Sequence, residues 1–184
     1  DFEQLQADTH RLIEGGVDGL VPVGSTGESA TLSHDEHVEI VEAVVEARDD
    51  SGRDVPVIAG SGSNNTREAL DLSQRSVEAG ADALLLISPY YNKPEPAGMV
   101  EHYRTIADAV DVPQIVYNVP SRTGRNISPD TAVELAAHEN VLGYKAASGD
   151  MGQISEIVER TRDEEFYVLS GDDGMTLPIV SVGG

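Results

Sequence analysis

Ten arginines stand against two lysines, Lys93 and Lys145, in this sequence, and lysine so scarce needs a reason where it occurs. Lys145 closes the apolar run Val141-Leu-Gly-Tyr-Lys145 and is followed by Ala146-Ala147-Ser148-Gly149. An amine in such low-dielectric surroundings has its pKa lowered, and the neutral form attacks carbonyls to give a Schiff base. The alternative is a strand-end lysine whose head reaches solvent. Tyr117-Asn-Val-Pro-Ser-Arg-Thr-Gly124 follows another apolar run; its tyrosine could pass protons, and Arg122 offers a planar fork to a carboxylate. Isolated, both would read as ordinary loop residues. Gly24-Ser-Thr-Gly-Glu28 could cradle an anion with N–H groups and hydroxyls, yet it lacks the lysine of a phosphate loop and also suits a tight strand-to-helix turn. Tyr90 and Tyr91 are adjacent in a loop, either as interface anchors or as site hydroxyls. His34 and His37 sit three apart without a third partner at helical spacing, so solvent or an effector, rather than a metal, is their expected contact.

Hydrophobic periodicity supplies the elements that would position these groups. Amphipathic helices are predicted over 2–14, from the capping box Ser33/Glu36 to Ala47, from Thr66 as cap to Ala79, over 97–109, 129–138 and 152–162, with a short last helix after Asp172. Between them lie six short apolar runs: 19–23, 55–59, 83–87, 114–117, 141–145 and 166–169. Continuous apolar strands alternating with helices mean a parallel α/β sheet. Chemistry-bearing groups follow nearly every strand, which fits the (β/α)8 barrel, whereas an open doubly wound sheet gathers its site at one switch point. Such a barrel takes about 250 residues. A single catalytic domain over 1–184 is therefore expected to be a partial TIM barrel, lacking the first strand and the last strand with its helix.

The 33 acidic against 12 basic residues give a formal charge of −21, which disfavours nucleic acid and membrane surfaces as partners. The absence of cysteine removes disulfide frameworks and thiolate metal sites. No run approaches the roughly 20 apolar residues that span a bilayer, and a cytoplasmic protein is expected. Acidity with so little lysine points to a high-salt cytoplasm, where screening shortens the reach of self-repulsion.

Taken in order, Gly24-Ser-Thr-Gly-Glu-Ser-Ala-Thr-Leu32, Pro89-Tyr-Tyr-Asn-Lys-Pro94, Tyr117-Asn-Val-Pro-Ser-Arg-Thr-Gly124, Lys145 and Ser170-Gly-Asp-Asp173 resemble the dihydrodipicolinate synthase family of pyruvate-dependent class I aldolases, over essentially the whole chain. The resemblance implies a lyase of lysine and diaminopimelate biosynthesis that needs no cofactor beyond a covalent Schiff base between Lys145 and pyruvate. The second substrate would be L-aspartate 4-semialdehyde. Tyr117 matches the proton-shuttling tyrosine, and Ser25 and Tyr91 its relay partners, Tyr91 reaching in from a neighbouring subunit. Thr26 and Gly171 would line the pyruvate site, and Arg122 would hold the semialdehyde carboxylate. Ser25 stands where the family commonly has threonine, and Ala146 where an acidic residue is common. A feedback site for L-lysine maps onto Ser29, Ala30, His34, His37, Asn64, Glu68 and Tyr90. The implied assembly is a homotetramer, a dimer of dimers with Tyr90 and Tyr91 at the contact. Two alternatives remain: an N-acetylneuraminate lyase or ketodeoxygluconate-type aldolase, which Ser25 favours and Arg122 opposes, and a non-catalytic degenerate barrel.

Overall fold

The computed structural model describes residues 1–184. Its helices end where local chemistry stops them. α1 (Phe2–Glu14) starts on Asp1, whose carboxylate accepts the Gln4 N–H. α2 (His34–Ser51) opens on the capping box: Ser33 Oγ accepts the Glu36 N–H, and the Glu36 carboxylate accepts the Ser33 N–H at 2.8 Å. It continues past Ala47 to Gly52, whose φ of 64° closes it in the left-handed conformation glycine tolerates. α3 (Thr66–Glu78) is capped by Asn65 rather than Thr66, because Asn65 accepts the Arg67 N–H. Thr66 is instead the first helical residue, and its hydroxyl hydrogen-bonds His102 Nδ1 at 2.9 Å in α4 (Pro96–Ala107). α5 (Pro120–Thr123) is a single turn where the sequence predicts only loop. α6 (Pro129–Ala136), α7 (Met151–Thr161) and α8 (Thr176–Ser181) complete the set.

The strands β1 (Ile58–Gly60), β2 (Ala83–Ile87), β3 (Gln114–Asn118), β4 (Val141–Ala146) and β5 (Tyr167–Ser170) form one parallel sheet in sequential order β1-β2-β3-β4-β5. The expected sixth strand over 19–23 is reduced to a bridge from Leu20 to Val57, although its backbone runs beside β1. Pro22 has no N–H to donate, and Val23 turns to φ 50°, a costly conformation for a β-branched residue, so the ladder cannot extend. Pro56 likewise delays the second strand, which pairs regularly only from Ile58.

One face of the sheet is closed by helices. Leu84, Leu86, Val116, Tyr144 and Val168 are buried there in a core with Met99, Tyr103, Ile106, Leu135, Ile154 and Ile157. Each such aliphatic side chain contributes roughly 2 kcal/mol by leaving water. On the opposite face Ile87, Tyr117, Lys145 and Leu169 lie side by side in register. No strand order reverses, so no switch point exists, and the fold is an arc of a (β/α)8 barrel whose inner face carries the row containing Lys145. No helix is long and apolar enough to cross a membrane.

Candidate active site

Strand register brings Lys145 and Tyr117 together before any loop is considered. They are paired across β3 and β4, and the Lys145 Nζ lies 4.6 Å from the Tyr117 ring centroid. Lys145 is half-buried, and desolvation lowers its pKa below that of an ordinary lysine. Burial raises the Tyr117 phenol while the nearby Arg122 charge opposes that shift, so the hydroxyl stays protonated at neutral pH and can donate. Gly171 at the end of β5 keeps the amine's stem free: a Cβ there would stand 3.2 Å from Lys145 Cε and 3.1 Å from Ala147 Cβ, tighter than ordinary packing.

In front of Tyr117 opens a cavity of about 430 Å3, lined in part by Ser25, Tyr117 and Arg122 and in part by Ser29, Ala30, His34, His37, Glu68 and Tyr90. Two backbone approaches shape it. A Cβ at Gly60 would lie 2.5 Å from the Val23 carbonyl oxygen, and one at Gly62 would collide with the Ile87 amide, so only glycine allows the strand ends to close up. Ser25 sits in an exposed turn closed by the Glu28 N–H on the Ser25 carbonyl at 3.2 Å.

The far end of the cavity is built around Glu68. His34 Nε2 hydrogen-bonds Glu68 Oε1 at 2.7 Å, and the buried Ser63 hydroxyl donates to Glu68 Oε2. The Ser63 bond first, and His34 after it, hold this carboxyl below its usual range against the opposing effect of burial. His37 is buried, its Nε2 has no partner, and desolvation lowers its pKa.

Five of the expected residues stand outside the cavity wall. Lys145 lies over the Tyr117 ring, with Gly171 against its stem, and Thr26 is exposed in its turn. Asn64 is turned toward the next loop, exchanging hydrogen bonds with Asn92: its carbonyl accepts Asn92 Nδ2 at 2.7 Å, and its Nδ2 donates to Asn92 Oδ1 at 3.3 Å. Tyr91, 88% exposed and at φ 63°, is held outward, away from this chain's own cavity. Sequence reasoning gave no role to Ser63, to the buried pair Asn118 and Tyr144, or to the partly buried Gln153. A polar side chain directly after Tyr117 inside a buried strand was the available signal for Asn118.

The family model for the dihydrodipicolinate synthetase family matches residues 1–184. The chain belongs to that family. Among relatives of the dihydrodipicolinate synthetase family, the 4-hydroxy-tetrahydrodipicolinate synthase of Haloarcula marismortui is 77% identical over 184 residues, covering 100% of this chain and 59% of the relative. A dihydrodipicolinate synthase of Acinetobacter baumannii complexed with pyruvate superposes with a TM-score of 0.94 at 40% identity, covering 100% of this chain and 62% of that one. The enzyme of Cyanidioschyzon merolae with lysine bound gives 0.96 at 40% identity, covering 100% and 61%. The chain thus spans about three-fifths of the length of these family members. The halophilic archaeal source of the first relative agrees with the high-salt reading of the acidic composition.

Proposed function

We propose that the protein is a cytoplasmic 4-hydroxy-tetrahydrodipicolinate synthase, a lyase of the class I aldolase type in lysine and diaminopimelate biosynthesis. The observation that carries this is Lys145: a half-buried amine with a lowered pKa, in register with Tyr117 at the strand ends of a barrel arc. The neutral amine adds to C2 of pyruvate, and loss of water leaves the imine. Removal of a C3 proton gives the enamine, whose C3 bonds to the aldehyde carbon of L-aspartate 4-semialdehyde as the aldehyde oxygen takes up a proton. The semialdehyde's own amino group then attacks the imine carbon, expels the Lys145 amine and closes the ring.

In this reading Tyr117 carries protons to and from the adduct, with Ser25 and a neighbouring subunit's Tyr91 as relay partners. Thr26 and Gly171 border the pyruvate, and Arg122 takes the semialdehyde carboxylate bidentately. No cofactor is required, since the covalent imine supplies the electron sink. The names of the family members and the pyruvate complex from Acinetobacter baumannii support the reading. Arg122 on the cavity wall favours an aldehyde that itself carries a carboxylate over the uncharged aldehydes of the sugar-acid aldolases.

L-Lysine is the proposed effector, its ammonium on Glu68 and the remainder among Ser29, Ala30, His34, His37, Asn64 and Tyr90. The lysine-bound family member supports this, as does a carboxyl already held ionised by Ser63 and His34. The proposed assembly is a dimer of dimers, for which the outward-held Tyr91 is suited.

Borohydride reduction in the presence of pyruvate, followed by mass spectrometry, tests the reaction. The expected result is a reduced pyruvate adduct on the Lys145 peptide and turnover with aspartate semialdehyde but not with sugar acids. No adduct on Lys145 defeats every aldolase reading.

A further inference from the structure

Tyr117 and Lys145 each have a sequence neighbour that alternation sends to the helix-covered side of the sheet, Asn118 in β3 and Tyr144 in β4. Both are fully buried, and they bond to each other: Asn118 Nδ2 donates to the Tyr144 oxygen at 2.7 Å. The second Nδ2 proton goes to Asn126 Oδ1 at 2.8 Å, and Asn118 Oδ1 accepts the Ile127 N–H at 3.0 Å. Tyr144 also accepts from Gln153 Nε2 of α7 at 3.1 Å and donates to the Ile127 carbonyl at 3.3 Å, so its one donor and two acceptor positions are filled. Asn126 and Gln153 close the circuit by exchanging bonds of 2.6 and 3.3 Å.

This circuit grips both ends of one segment. The chain leaves β3 at Asn118, passes through α5 with Arg122 exposed upon it, and returns at Asn126 and Ile127. A single helical turn cannot hold its own shape in water. A network whose inner members, Asn118 and Tyr144, are buried with every polar position filled can hold it, because the low dielectric around those two strengthens their bonds and penalises leaving any of them. The lysine corner needs no such help, since the β3–β4 ladder pairs Tyr117 with Lys145 directly.

We propose that Tyr144, acting through Asn118 and Asn126, is a positioning residue that sets Arg122 for the carboxylate of the second substrate. This rests on the reaction proposed above. Tyr144→Phe removes one hydroxyl without emptying the core, and Asn126→Ala changes an exposed residue at the other end of the circuit.

In the full-length protein each variant raises KM for aspartate semialdehyde about fivefold, the effect of one lost hydrogen bond. The double variant is no worse than about the larger single effect, because both act through one circuit. Borohydride trapping of pyruvate on Lys145 proceeds at the unaltered rate in all three. A lowered melting temperature with unchanged KM for the semialdehyde, additive effects in the double variant, or an equal rise in KM for pyruvate overturns the proposal. If the unaltered protein forms no pyruvate adduct, the reaction itself is wrong and the proposal falls with it.

Discussion

The Lys145 corner beside the cavity and the cavity's α2–α3 end handle burial in opposite ways. At the β3–β4 corner, Lys145 is desolvated without a carboxylate partner, and its charged form is disfavoured. At the α2–α3 end, Glu68 is partly desolvated as well, but Ser63 and His34 hydrogen-bond it and the charged form is favoured. Burial alone therefore does not decide what a titratable group becomes; the donors and acceptors placed around it do. The first arrangement favours a neutral amine, the second a standing anion.

The sharpest way to break that contrast is Lys145→Arg. Guanidinium stays protonated and cannot form the imine, so activity falls by more than about a thousandfold. The expected control is unaltered L-lysine binding by calorimetry; retained turnover would remove Lys145 from the chemistry.

At the other end, Glu68→Gln keeps the shape and removes the charge, and affinity for L-lysine is expected to weaken by about 2 kcal/mol. Equal affinity by calorimetry would show that Glu68 does not hold the effector's ammonium.

Acid sharpens the comparison further, because the buried histidines and Glu68 respond in different windows. His102 is buried and its pKa is lowered from 6.5 to about 4, while His37 is lowered in the same direction, both chiefly by desolvation. Between pH 6.5 and about 4 the unfolded chain binds more protons than the folded one. Stability therefore rises with pH across this window and is lost on acidification, with His102 accounting for roughly 3 kcal/mol at the acid end. Glu68, with its lowered pKa, adds a loss of the same sign only below the ordinary carboxyl value of 4.5, as pH falls through its folded value. Melting curves of His102→Gln should flatten the first window and leave the second; an unchanged slope above pH 4.5 would contradict this. Lys145 works in the alkaline range: its folded pKa lies below 10.5, so stability rises as pH climbs through the lowered value and levels off past the unfolded one.

The smallest effect is expected from salt. Arg48, Arg75, Arg104, Arg125 and Arg160 are paired with acids, yet the net charge of −21 leaves a large excess of unpaired carboxylates. Raising salt from about 0.1 M to about 1 M shortens the reach of repulsion from about 10 to about 3 Å, and the melting temperature is expected to rise. A fall would mean that the arginine pairs outweigh the repulsion. Activity and sedimentation should follow the same direction if subunits assemble.

The chemistry of individual residues was legible because it depends on type and local pattern. Ser33 and Glu36 announced α2, and continuous apolar runs announced β2 to β5. Lysine scarcity pointed to Lys145 before its partner was known. Errors fell where one residue's backbone overrode its neighbours: Pro22 and Val23 reduced an apolar run to a bridge, and Asn65 rather than Thr66 took the cap because its side chain reaches the Arg67 N–H.

What the sequence determined by itself was the alternation of strands and helices, the acidic, lysine-poor surface and the groups able to do the chemistry, all set by composition and short-range periodicity. What only the tertiary structure decided was which of them meet. Register placed Lys145 beside Tyr117. Close approach at Gly60 and Gly62 shaped the cavity that joins Tyr117 to Glu68. Burial of Asn118 and Tyr144 joined them, with Asn126 and Gln153, into one hydrogen-bonded circuit. These contacts join residues far apart in the chain, and their strength depends on burial and distance, which no local pattern encodes.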